Sequence, residues 1–183
     1  LIKNYEVGKY NKVLDLSNKL IIDFPKSPIL FNILGITNYA LNNFNLAIQY
    51  YNQTLSLNPN FVDAYNNLGI VFKAMEDWNN CILNFKKALQ LKPNYFEVYS
   101  NLGNAYIENR QIDKAINSCL KAIDINPSFF QAHNNLGLAY IWNNEFKKAI
   151  KCCKQAILLN PNFAEAYNNL GTAFLKIKKL NKA

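Results

Sequence analysis

Asn67, Asn101, Asn135 and Asn169 follow one another at a constant interval of 34 residues (67, 101, 135, 169). Each is preceded by another small polar residue: Asn66, Ser100, Asn134 and Asn168. A carboxamide carries two donors and an acceptor, so it can pair with both the N–H and the C=O of an extended backbone. A ladder of such groups along one surface suits sequence-tolerant binding of an unfolded segment. Residues for bond-making chemistry show no comparable order. The chain has one His, His133, and no Ser/His/Asp set, glycine-rich phosphate loop or metal-ligand spacing. This reads as a non-catalytic chain with no cofactor and no metal.

The same interval governs the residues that must position these side chains. Gly35, Gly69, Gly103, Gly137 and Gly171 recur at it, each after a Leu, and so do Pro25, Pro59, Pro93, Pro127 and Pro161. With the glycine numbered eighth, complete repeats span 28–61, 62–95, 96–129 and 130–163. Partial repeats occupy 1–27 and 164–183, so one array covers all 183 residues. In 62–95, Tyr65, Leu68, Gly69 and Phe72 mark one face of a helix. Glu76–Asp77 breaks that pattern, and Cys81, Ile82, Phe85, Ala88 and Leu89 mark a second helix. Pro93 then ends it, because proline cannot continue a helix. The repeat is therefore helix, turn, helix, turn. One such pair cannot bury its apolar face alone; stacked pairs can, which predicts an all-α solenoid.

A mid-helix glycine costs about 1 kcal/mol relative to alanine. Holding it five times predicts close approach of two helices at position eight. Position twenty is likewise small: Ala47, Ala115, Ala149 and Ala183, with Cys81 once. Cys119 and Cys153 share position twenty-four with Tyr51 and Phe85, and read as small apolar packing residues. Cys152 lies one step off that face and is expected to be exposed. Without a C-x-x-C or a secretory signal, the four thiols fit a reduced, cytoplasmic chain.

These signatures resemble the tetratricopeptide repeat, a 34-residue helix-turn-helix with the pattern W-x-x-L-G-x-x-Y, then A-x-x-x-F, then P. Residues 96–129 match as Tyr99, Leu102, Gly103, Tyr106, Ala115, Cys119 and Pro127. Residues 130–163 match as His133, Leu136, Gly137, Tyr140, Ala149, Cys153 and Pro161. Asn38 departs from the pattern where Tyr is usual, and Val13 where Ala is usual. The resemblance implies a right-handed superhelix of antiparallel helix pairs whose concave groove, lined by the first helix of each repeat, binds an extended peptide or partner helix. With positions four, seven, eight and eleven in the core, positions two, five, six and nine face that groove. The expected peptide-binding residues are then Asn67, Asn101, Asn135 and Asn169, with Asn66, Asn134 and Asn168 beside them, and Asn104, Asp63 and Glu97. They also resemble the asparagine ladder of O-linked N-acetylglucosamine transferases, which holds substrate peptides by their backbone; Ile33 breaks that ladder. The same resemblance allows a substrate-recruiting arm of a larger enzyme such as a glycosyltransferase. A clamp for C-terminal carboxylates wants Lys at position five, and this chain has Asn or Ser there.

Half of the residues are hydrophobic and the net charge is +8, from 20 Lys and Arg against 12 Asp and Glu. The groove columns hold no Lys. Lys86, Lys87, Lys121, Lys147, Lys148, Lys151 and Lys154 fall on second helices, and Lys176, Lys178, Lys179 and Lys182 near the end. They read as a solvated face, open to an acidic partner or membrane surface. With Arg110 the only arginine, the balance argues against nucleic acid. No apolar run is long enough to span a membrane. The chain lacks an initiator Met and starts and stops mid-repeat, which reads as a fragment of a longer protein. Uncapped end repeats would allow a homo-oligomer by end-to-end stacking. His133 is expected in the core, and Trp142 as a partly exposed edge anchor. Solvated groove residues contribute little to stability, so Asn101→Ala with Asn135→Ala should weaken binding and leave the fold nearly as stable.

Overall fold

The computed structural model describes residues 1–180, and within them it is helical with no strand. The helices are α1 (Ile2–Glu6), α2 (Tyr10–Asp23), α3 (Pro28–Ala40), α4 (Phe44–Leu57), α5 (Val62–Ala74), α6 (Trp78–Leu91), α7 (Phe96–Glu108), α8 (Ile112–Ile125), α9 (Phe130–Trp142), α10 (Phe146–Leu159) and α11 (Ala164–Leu180). The chain forms two compact units, residues 1–91 with α1–α6 and residues 92–183 with α7 onward. Helices α3/α4, α5/α6, α7/α8 and α9/α10 pair closely. Ala183 of the small-residue column and Lys182 of the terminal lysine cluster lie outside the described residues.

Two recurrent turns set these boundaries. Asn42, Glu76, Arg110 and Asn144, at position fifteen, all have φ between 57 and 60°. The N–H of the next residue returns to the carbonyl five places back: Asn43 to Asn38, Asp77 to Phe72, Gln111 to Tyr106 and Glu145 to Tyr140, at 2.8–2.9 Å. This left-handed cap satisfies carbonyls that a helix end leaves open. In the other turn, the Oδ1 atoms of Asn58, Asn126 and Asn160 accept the N–H two residues on, at 3.0–3.1 Å. A proline follows each of them. Part of the abundant asparagine therefore serves turns rather than ligands.

The glycine column lies at the crossing of each pair. A Cβ at Gly35 would meet the Tyr51 ring at 2.5 Å, and one at Gly69 the Phe85 ring at 2.5 Å. At Gly103 and Gly137 the neighbours are the sulfurs of Cys119 and Cys153, at 2.5 and 2.7 Å. All four neighbours are buried, as the packing role of position twenty-four requires.

The core of the first helices differs from the sequence expectation in one respect. Positions three and ten are fully buried: Ala64 and Val71, Val98 and Ala105, Ala132 and Ala139. Position four is only half-buried at Tyr65, Tyr99 and His133. A first helix has two packed sides, one against its own second helix and one against the neighbouring first helix (α3 with α5, α7 with α9, α9 with α11). Small residues at three and ten permit the second approach. Asn38, buried in place of the usual Tyr, is satisfied locally: its Nδ2 donates to the Leu34 carbonyl at 2.8 Å.

The close contacts make a sharp test. Gly103→Ala should destabilise by about 1–3 kcal/mol through overpacking against the Cys119 sulfur. With Cys119→Ala the nearest neighbours of the new methyl become backbone atoms at 3.4 and 3.5 Å. Most of the penalty should then vanish, with a coupling above about 1 kcal/mol in a urea-unfolding double-mutant cycle. Gly171, which meets nothing within 4 Å, should gain up to about 1 kcal/mol on mutation to alanine.

Candidate functional site

The carboxamides of position six sit at the seam between successive first helices. In the first unit Asn67 Nδ2 donates to Asn32 Oδ1 at 3.3 Å. In the second, Asn135 Nδ2 donates to the Ser100 carbonyl at 3.2 Å and its Oγ at 3.1 Å, and Asn169 Nδ2 to Asn134 Oδ1 at 2.9 Å. Each bond runs from position six of one repeat to position five of the one before. One amide edge of each side chain is thereby engaged. Asn135 and Asn169 remain half-exposed, and among the described residues their Oδ1 atoms accept nothing within the chain.

Position five does not lie on the solvent side. Asn32, Ser100 and Asn134 are buried at 9%, 2% and 6% exposure, because the next first helix packs over them. The placing of Asn134 beside the ladder is corrected accordingly. Asn134 is a buried acceptor beneath Asn169, Asn66 is half-buried, and Asn168 is exposed on α11. Sequence spacing could not separate positions five and six, since both are Asn in most repeats.

The remaining expected residues fall as follows. Asn101 and Asn104 lie one turn apart on α7, both half-buried, and neither bonds within the chain among the described residues. Asp63 and Glu97 occupy the first turns of α5 and α7, where a carboxylate also favours the helix dipole. Ile33 breaks the column for a visible reason. With Ile36, Leu1 and Tyr5 it lines a small apolar pocket of about 120 Å³ beside α1.

Three side groups need comment. His133 is not a core residue: half-buried, its Nε2 lies 2.8 Å from the Pro127 carbonyl. Trp142 is 48% exposed as expected, and the Arg110 guanidinium stacks over its ring at 4.0 Å. Cys152 is half-buried rather than exposed. Burial pushes its thiol up to about 11, with Lys151 opposing weakly, and pushes Cys81, Cys119 and Cys153 up to about 12. Among the described residues no His, Cys, Asp and Glu cluster could hold a metal, and no helix is long and apolar enough to cross a membrane.

Two measurements follow from this geometry. The Asn135–Ser100 bonds mean that Asn135→Ala is not neutral. It should lower unfolding stability by about 0.5–1.5 kcal/mol, and by less in a Ser100→Ala background. For the thiols, a raised pKa favours the neutral form. Iodoacetamide should modify one cysteine per folded chain, Cys152, at a rate still rising about tenfold per pH unit at pH 10, where an unburied thiol has levelled off.

Comparison with known proteins places this geometry. The tetratricopeptide-repeat model matches residues 130–163, a TPR-repeat model matches 35–76, 71–109 and 103–141, and a further tetratricopeptide-repeat model matches 152–183. No curated protein matches the chain in sequence. Among solved structures, the crystal structure of MamA is 26% identical with a TM-score of 0.78, over 89% of this chain and 95% of that one. YrrB, described as a TPR protein with an unusual peptide-binding site, is 18% identical with a TM-score of 0.74, over 90% and 85%. The first TPR of Spaghetti (RPAP3), bound to an HSP90 peptide, is 20% identical with a TM-score of 0.62, over 64% and 93%. The matched repeats cover more than half of the chain, and it belongs to the tetratricopeptide-repeat family as an all-α solenoid of helix pairs.

Proposed function

We propose that this chain is a protein-interaction module that holds an extended peptide along the first helices of the 92–183 unit, with Asn101, Asn104, Asn135 and Asn169 as its main contacts. The carrying observation is the oriented carboxamide. Asn135 and Asn169 are half-exposed residues that each give N–H to the preceding repeat, and among the described residues their Oδ1 atoms have no partner. That oxygen suits a backbone N–H of a bound strand. Packed helix axes lie about 8–10 Å apart, and three extended residues span about 10 Å. Successive carboxamides therefore match every third peptide residue, which gives backbone recognition with little demand on side chains. Glu97, at the end of the same face, adds negative charge.

Peptide binding in structurally similar proteins supports the reading: RPAP3 carries an HSP90 peptide, and YrrB is named for its peptide site. Position five holds Asn or Ser rather than Lys, which leaves no basic clamp of that kind for a terminal carboxylate and favours internal sequence held by its backbone. The asparagine column is the feature that resembles glycosyltransferase substrate arms, and an arm recruiting substrates for a larger enzyme would use the same contacts.

The test is binding of an arrayed library of unstructured peptides to the chain and to Asn101→Ala/Asn104→Ala, two residues whose side chains make no hydrogen bond among the described residues. Broad capture by the wild type, at least about tenfold weaker in a variant of unchanged melting temperature, is the expected result. Equal capture by both would overturn the reading. Equal capture together with a mass that grows with concentration would favour self-assembly through α11, whose Tyr167, Phe174 and Leu175 are exposed.

A further inference from the structure

The second helices of the 92–183 unit carry a recess that the peptide face does not use. Helices α8 and α10 both pack on α9, and between them lies a pocket of about 570 Å³. Leu136 and Tyr140 of α9 form its floor, and Leu120 and Ile123 of α8 one wall. Lys151 and the half-buried Cys152 of α10 stand on the other side. A second depression on α8 shares Leu120 and Ile123 and is lined further by Asn117, Lys121 and Asp124. Leu120 is 43% exposed, an apolar side chain left open on that wall by the described residues.

The charge around this recess is one-sided. Helix α10 carries Lys147, Lys148, Lys151 and Lys154 and no acid. Lys148 is committed to Glu145 and lies 5.2 Å from the Tyr140 ring centre. Among the described residues Lys151, which lines the recess, and Lys121, which lines the adjoining depression, have no acidic partner. Asp124 is the one carboxylate lining either depression.

We propose that this recess docks an acidic amphipathic helix of a partner protein, its apolar stripe against Leu120, Leu136 and Tyr140 and its carboxylates against Lys151 and the lysine-rich, acid-free helix α10. A slot between two helices accepts a third by the same packing that joins the repeats. Apolar groups sunk beside a basic wall require side chains that reach in, which a helix stripe supplies. A membrane surface favours apolar groups that protrude, so an anionic bilayer is the poorer fit.

The probe is a helical peptide built on the heptad Glu-Leu-Leu-Glu-Ala-Leu-Glu, with a twin carrying Lys for every Glu. Binding is read by fluorescence anisotropy and by protection of Cys152 from iodoacetamide, the other three thiols being buried. Saturable binding of the acidic peptide with Cys152 protection is expected, weaker at higher salt. Leu120→Glu should weaken it at least about tenfold and Lys151→Glu several-fold, while Lys86→Glu, a lysine of the other unit, should not. Circular dichroism and melting temperature confirm that the variants fold. Absence of protection, equal binding of the basic twin, or protection by anionic phosphatidylserine vesicles but not by the peptide would each overturn the proposal. None of these readouts depends on Asn101 or Asn104, so the proposal stands or falls apart from extended-peptide binding.

Discussion

The contact of Gly35, Gly69, Gly103 and Gly137 with the residue sixteen places on is the constraint on which their helix pairs depend. It brings the backbone of a first helix against the side chain at position twenty-four of the second, closer than any Cβ could be tolerated. The partner is an aromatic ring at Tyr51 and Phe85 and a thiol at Cys119 and Cys153. Both solutions keep the glycine, because the approach is set by the helix crossing rather than by the size of what fills it. The thiols in this role are buried and held neutral by desolvation, so they act as packing groups.

A second constraint joins one pair to the next. Small residues at positions three and ten let neighbouring first helices approach, and the approach buries position five. A buried polar group needs a partner. Position six of the following repeat supplies one from its carboxamide, and the serine at 100 is served as well as the asparagines at 32 and 134. The same side chain thus secures the seam with its N–H and offers an oxygen to solvent. On the proposed reading, the two ends of one functional group divide structure from recognition.

The consequence is two surfaces of different chemistry in one unit. The first-helix face is lined by carboxamides with Glu97 at its end, and suits a backbone. The second-helix face is rich in lysine and recessed over apolar residues, and suits an acidic, apolar side-chain stripe. The overall charge of +8 describes neither. Arg110 marks the difference in another way: held in a left-handed turn, it stacks on Trp142 instead of joining the lysines.

Much of this was legible in the sequence because it is periodic. An interval that recurs in glycine, proline and leucine reports helix, turn and pairing together, since each repeat must meet an identical neighbour. It also located the tight crossing at position eight and the packing cysteines. What it did not separate were adjacent asparagines with opposite fates, such as Asn134 and Asn135. Local spacing records the angle of a side chain about its own helix, whereas burial depends on where the next helix lies. For the same reason His133 proved to be bonded to the Pro127 carbonyl at the edge of a recess, and Cys152 proved half-buried. The sequence by itself determined the helix pairs and their close contacts, because those follow from residue size and periodicity within one repeat. Only the tertiary structure decided which polar groups face solvent and where a recess opens, because those are properties of helices from different repeats packed side by side.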